Sequence, residues 1–204
     1  MLQPETARVP IAGIHNCSLI NYPGRIALCI FTQGCNLCCP YCHNRDLIPS
    51  EPGKIDHAEL MRYLRAPATR RLINGVVITG GEPTVHGGLP SLIAQIKKEN
   101  LLVKLDTNGT NPDALQNLVE EGLIDSISMD VKTSLDKYQE YLQVDPAVIV
   151  RSIELIAQSG LDYEFRTTID GELCTSEDLE IIEGLIPDSK HTIQTVRLQH
   201  VAGF

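Results

Sequence analysis

Six short apolar runs alternate with five amphipathic stretches along this chain of 204 residues. That order constrains the fold more than any other feature. The runs Ile26–Thr32, Gly75–Thr79, Leu101–Asp106, Ile124–Asp130, Asp162–Ile169 and His191–Leu198 are rich in β-branched residues and read as strands. Between them, Asp56–Arg65, Leu89–Asn100, Asp113–Glu121, Ala147–Ser159 and Ser176–Leu185 read as helices. Asp56 with Glu59 three residues on is a capping-box pattern. Gly122 and Gly160 stand just past helix ends, where left-handed backbone is wanted. Ser176 precedes Glu177 and Asp178, acidic residues that suit a helix N-terminus. Such alternation predicts parallel βα units wound with one hand. Six strands fall short of the eight that close a barrel, so the expected architecture is α/β, an open partial (βα)6 TIM-like barrel of parallel strands. A doubly wound open sheet is the alternative. The expected division is an N-terminal lead-in over 1–24 and a core domain over 25–204.

Either architecture puts its functional site at the C-terminal ends of the strands, and the chemically unusual residues fall there. After the first run comes Cys35-Asn36-Leu37-Cys38-Cys39-Pro40-Tyr41-Cys42, a Cys-x3-Cys-x2-Cys triplet. Gly80-Gly81-Glu82-Pro83 follows the second run, Asp106-Thr107-Asn108-Gly109 the third, and Asp130-Val131-Lys132 the fourth. Arg166 lies late in the fifth run and His200 follows the sixth.

Three cysteines in eight residues are one thiolate short of the four that fill a cubane iron–sulfur cluster. A cluster held by three leaves one iron open to a small molecule, by the logic that separates catalytic from closed metal sites. Zinc, with Cys38 or His43 as fourth ligand, and a redox pair are the competing readings. Cys38 adjoins Cys39, so both would have difficulty reaching one ion. Cys17, Cys29, Cys38 and Cys174 read as bystanders. Glycines at 80 and 81 let backbone approach a ligand closely. Asp106 and Asp130 could hold a cation, and Lys132 could pair with a ligand carboxylate.

A net charge of −9 argues against a nucleic-acid partner, which calls for clustered Lys and Arg. No run of 18 apolar residues is present, so no membrane partner is expected. Without signal-peptide features at Met1–Thr6, the expected location is cytoplasmic, where thiols stay reduced.

With Tyr41 before its last cysteine, the triplet resembles the signature of the radical S-adenosylmethionine (SAM) superfamily. The stretch Gln33-Gly34-Cys35 through Cys42-His43-Asn44-Arg45-Asp46 resembles activating enzymes of glycyl-radical enzymes, the pyruvate formate-lyase-activating type. The lead-in Ser18-Leu19-Ile20-Asn21-Tyr22-Pro23-Gly24 is similar to that of anaerobic ribonucleoside-triphosphate reductase activating proteins. The resemblance implies that Cys35, Cys39 and Cys42 hold a [4Fe-4S] cluster whose fourth iron is chelated by SAM. It implies Tyr41 beside the adenine, Gly80, Gly81 and Glu82 at the methionine amino group, and Lys132 on SAM. Asp106, Thr107 and Asp130 match positions that bind a monovalent cation beside the SAM carboxylate; Arg166 and His200 match positions lining the pocket. One-electron cleavage of SAM would give a 5′-deoxyadenosyl radical that takes a hydrogen atom from a glycine of a glycyl-radical enzyme. Flavodoxin or ferredoxin would be the electron donor. A small-molecule or peptide substrate is the alternative within enzymes, and a non-catalytic iron–sulfur or zinc protein the alternative outside them. Asn21 departs from the pattern, which carries Asp ahead of Pro-Gly on the substrate side. No cysteine-rich insert is present for auxiliary clusters.

Overall fold

The computed structural model describes residues 8–186 and 191–196. In chain order its elements are β1 (Ile11–Ser18), β2 (Ala27–Thr32), α1 (His57–Arg65), α2 (Pro67–Leu72), β3 (Gly75–Gly80), α3 (Leu89–Lys97), β4 (Leu102–Thr107), α4 (Pro112–Glu120), β5 (Ser126–Asp130), α5 (Leu135–Tyr141), α6 (Pro146–Gln158), β6 (Asp162–Ile169), α7 (Ser176–Glu183) and β7 (His191–Thr195). The strands form one sheet in sequential order from β1 to β7, with every pair from β2 to β7 parallel. A doubly wound sheet would reverse its order at a switch point; none occurs here. Right-handed crossovers that always advance in one direction keep the helices on one side and curl the sheet. Among the described residues β7 pairs only with β6, so the curl stays open. The expected open (βα)6 arrangement is therefore present, extended by β1.

β1 was not among the expected strands. It runs antiparallel to β2, pairing Ile11 with Thr32 and Ser18 with Ala27. The segment that follows lies at the N-terminal ends of the parallel strands, the end opposite the cysteine loop. There Asn21 donates its side-chain amide to Cys29 Sγ at 3.1 Å. Tyr22 packs against Gly75, where a Cβ would come within 2.9 Å of the Tyr22 ring.

Strand alternation sorts side chains onto two faces. On the helix side, Leu28, Ile30, Val76, Ile78, Val103, Leu105, Ile127, Met129 and Phe165 meet the apolar stripes of the helices, including Leu60, Leu64, Ile93, Ile96, Leu115 and Ile153, in one continuous core. On the opposite face Tyr22, Ala27, Cys29 and Val77 form a small apolar cluster, with Phe31 and Leu102 packed against it. From β4 onward that face carries Lys104, Asp106, Ser128, Asp130, Glu164 and Arg166, in register across the strands. The polar lining is what the fold presents to a ligand.

Helix starts follow local chemistry. The Asp56 carboxylate accepts from Ala58 N, and Asp145 accepts from Ala147 N. α7 begins at Ser176 as expected, capped by Thr175, which forms a reciprocal capping box with Asp178. Phe165 is fully buried on the helix side of β6. Phe165→Ala is expected to lower unfolding free energy by about 3–5 kcal/mol. Ile181→Ala, at a side chain that is 53% exposed, is expected to change it by less than ~0.5 kcal/mol. Urea titration of both variants measures the contrast.

Candidate active site

The cysteine loop leaves β2 and is closed at its base. Gly34 N–H donates to Leu47 O at 2.8 Å and Cys35 N–H to Ile48 O at 3.1 Å. The Gln33 amide donates to Asp46 O and Pro49 O, both at 2.9 Å. Within the loop Cys42 N–H donates to Cys39 O at 3.1 Å. The three thiols lie close enough that Cys39 would feel charge on both Cys35 and Cys42. Burial pushes the Cys39 thiol up to about 11 and raises Cys35 as well. Such sulfurs become thiolates when a cationic metal takes the place of the proton. Cys38 is exposed. Among the described residues no three His, Cys, Asp or Glu groups converge on a single ion. A cubane does not ask for that convergence, because each thiolate binds a different iron.

The glycine turn after β3 packs directly on this loop. Gly80 has φ +116°, and a Cβ there would lie 2.4 Å from Thr32 N. At Gly81 a Cβ would lie 2.1 Å from Gly34 O. Neither position has room for a side chain. Gly81 N–H donates to Thr32 O at 2.9 Å and Glu82 N–H to Gly34 O at 2.8 Å.

Glu82 is almost wholly buried. Its Oε1 accepts from Thr84 N at 3.0 Å, from the Thr84 hydroxyl and from the Thr107 hydroxyl at 2.8 Å; its Oε2 accepts from Asn108 N at 2.6 Å. Burial pushes the carboxyl upward, whereas all four partners are donors and fit the ionised form. Asn108 passes the connection on, donating its amide to Asn36 Oδ1 at 3.0 Å inside the cysteine loop.

Across the barrel interior runs a chain of alternating charges. The Lys104 ammonium contacts Asp106 Oδ1. Asp106 Oδ2 lies 3.5 Å from Arg166 Nη1, and Arg166 Nε donates to Asp130 Oδ1 at 2.7 Å. Lys132 Nζ donates to Asp130 Oδ2 at 2.9 Å. Burial would raise the Asp130 carboxyl, but Lys132 and Arg166 outweigh it and hold it down at about 2. Arg166 and Lys132 are themselves held further toward the charged form, by Asp130 against the cost of burial. Tyr138, fully buried in α5, accepts Lys132 N–H on its hydroxyl at 2.7 Å and so fixes the turn that aims Lys132. Lys132 Nζ stands 5.9 Å from the centre of the Tyr41 ring.

These groups line one cavity of about 330 Å³, within the usual range for small-ligand pockets of about 300–1,000 Å³. All the expected site residues within the described chain reach it: Cys35, Cys39, Cys42, Tyr41, Gly80, Gly81, Glu82, Asp106, Thr107, Asp130, Lys132 and Arg166. His200 lies outside the described residues. The sequence reading gave no role to Thr79 and Asn108 and missed Thr168 and Gln194 in the lining. Thr168 stands two residues beyond Arg166 and pairs with Gln194, so strand parity alone would have found both. One feature fits a bound ligand with a polar group. The buried Tyr41 hydroxyl, in the cavity lining, has no hydrogen-bond partner among the described residues.

The profile of the radical SAM superfamily matches residues 29–173. The chain belongs to that superfamily, whose members use a [4Fe-4S] cluster and SAM. It is 34% identical over 188 residues to a Methanocaldococcus jannaschii protein named "Putative glycyl-radical enzyme activating enzyme MJ1227", covering 87% of this chain and 75% of that one. It is 31% identical over 144 residues to the pyruvate formate-lyase 1-activating enzyme of Escherichia coli, covering 65% of this chain and 55% of that enzyme. Streptococcus suis SuiB bound to SAM superposes with a TM-score of 0.57 at 18% identity, over 82% of this chain and 38% of SuiB. At that identity the likeness concerns the fold. The chain thus spans roughly half of the E. coli enzyme's length, and less of SuiB.

Glu82→Gln replaces one acceptor oxygen with an amide that faces donors. It is expected to destabilise the cluster-free protein by about 3 kcal/mol in urea unfolding. A change below ~0.5 kcal/mol would contradict the role given to this carboxylate.

Proposed function

We propose that this radical SAM enzyme is an oxidoreductase that installs a glycyl radical on a partner enzyme of the anaerobic ribonucleotide reductase or pyruvate formate-lyase type. The observation that carries the proposal is the meeting of the cysteine loop, the Gly80-Gly81-Glu82 turn and the Asp130–Lys132–Arg166 ion group on one cavity. The names of the MJ1227 and E. coli relatives supply the substrate class. Residues 25–204 make up the catalytic core, with 1–24 as a lead-in whose strand covers the edge of β2.

When bound, the cluster and SAM supply one-electron cleavage of the sulfonium C–S bond, giving a carbon radical able to abstract hydrogen from a glycine Cα. The protein's part is to hold and to shield. Cys35, Cys39 and Cys42 present the three thiolates. Gly80 and Gly81 open their backbone to the methionine amino group, and Glu82 keeps that turn against the cysteine loop. Lys132 and Arg166 face the methionine carboxylate, with Asp106, Thr107 and Asp130 beside them. Tyr41 covers the adenine side, where its unpaired hydroxyl finds a partner. Together with Leu37 it keeps water and stray side chains from a radical that would react with either. His200 is proposed as a further SAM-binding residue. Electrons come from flavodoxin or ferredoxin. Seven free cysteines fit a reducing compartment such as the cytoplasm. Among the described residues no helix is long and apolar enough to cross a membrane.

The test is anaerobic. Cys35→Ala, Cys39→Ala and Cys42→Ala are each expected to abolish 5′-deoxyadenosine formation, while Cys38→Ala retains it. With purified anaerobic ribonucleotide reductase or pyruvate formate-lyase, the wild type is expected to produce a glycyl-radical resonance matched by deoxyadenosine. Deoxyadenosine formed without any protein radical on either partner would favour a small-molecule or peptide substrate instead. Activity that survives Cys39→Ala and is lost in Cys38→Ala would overturn the ligand assignment.

A further inference from the structure

The residues expected to hold a monovalent cation beside SAM are together in space but already engaged. Asp106 Oδ1 faces the Lys104 ammonium and Oδ2 faces Arg166; Asp130 Oδ1 faces Arg166 and Oδ2 faces Lys132. Each of the four carboxylate oxygens has a protein cation against it. The Thr107 hydroxyl donates to Glu82 and accepts from Gly109 N at 3.1 Å. A free Na⁺ or K⁺ on the remaining lone pairs of these oxygens would sit against the like charges of Lys104, Arg166 and Lys132. The donor set does not fit a free cation.

Lys104 is the unexpected member. Its side chain is only 3% exposed, and Asp106 is its sole hydrogen-bond acceptor among the described residues. β4 alternation puts it two residues before Asp106 on the same inward face, beside Val77 and Ser126 in register. A lysine is rarely buried so fully without a purpose in charge balance. Along the contact chain it makes three cations to two carboxylates, and Glu164, held by the hydroxyls of Ser128 and Thr192, places a third carboxylate charge near Arg166. The protein's own charges therefore balance beside the cavity that Asp106, Arg166 and Lys132 line. An added metal cation would upset that balance.

We propose that the Lys104 ammonium is a built-in replacement for the monovalent cation, positioning Asp106 and Arg166 so that SAM binds without added Na⁺ or K⁺. Lys104 is a positioning residue here, acting through Asp106. The inference rests on the cavity being the SAM site.

The test is SAM affinity of the reconstituted holoenzyme, measured by equilibrium dialysis in tetramethylammonium, potassium or sodium chloride at equal ionic strength. For the wild type the dissociation constant is expected to agree within about twofold across the three salts. Lys104→Met keeps the length and apolar stem but removes the charge. It is expected to weaken SAM binding by about tenfold in tetramethylammonium and to recover part of that loss in potassium or sodium, because the emptied place beside Asp106 then accepts an ion. A wild type that needs potassium or sodium to bind SAM would overturn the proposal, and this arm requires no variant to fold. So would a correctly folded Lys104→Met with unchanged affinity in all three salts. Failure of the wild type to bind SAM in any salt would overturn the reading of the cavity itself, and this inference with it.

Discussion

The buried carboxylate of Glu82 joins three chain segments that are distant in sequence. It takes hydrogen bonds from Thr84 in its own turn and from Thr107 and Asn108 at the end of β4, while its backbone N–H holds Gly34 at the root of the cysteine loop. Asn108 then reaches Asn36 within that loop. Removing such an acceptor strands several buried donors at once, which costs far more than one hydrogen bond contributes. The cysteine loop has no regular secondary structure beyond a short 3₁₀ turn at Arg45–Leu47. Its position against the glycine turn therefore depends on these tertiary bonds.

The second constraint is the division of labour between the two faces of the sheet. One face is sealed against helices by aliphatic side chains, which stabilise the fold with no demand for directionality. The other carries charges in register across β4, β5 and β6, and these must be matched because they are desolvated. Matching is achieved by alternation: Lys104, Asp106, Arg166, Asp130 and Lys132 follow one another with opposite signs. The same arrangement fixes the rotamers of the residues that face the cavity, so the site is organised before a ligand arrives.

Much of this was legible in the sequence because it follows period and parity. The six parallel strands and the helices α1, α3, α4, α6 and α7 appear as apolar runs and amphipathic stretches, with boundaries shifted by a few residues. Gly122 and Gly160 do adopt the left-handed backbone expected at helix ends. β1 escaped notice because it is an edge strand with His15, Asn16 and Cys17 exposed, so it has no apolar alternation. α5 has seven residues and is mostly polar; it is anchored by Tyr138, whose role at Lys132 depends on a tertiary contact. The site residues were readable because strand ends gather them at one rim. What their hydrogen bonds do was not readable. Glu82 belongs to the scaffold as much as to the cavity, and Lys104 could be recognised only through its parity with Asp106.

The central claim is that the three-cysteine loop and the adjoining cavity act as one cluster-and-SAM site. The most direct measurement is the electron paramagnetic resonance spectrum of the anaerobically reconstituted, dithionite-reduced protein, recorded before and after addition of SAM. A reduced [4Fe-4S] signal whose shape changes on SAM addition, because the open iron has gained ligands, is the predicted result. A cluster signal indifferent to SAM, or a protein that takes up zinc in place of iron and sulfide, would contradict it.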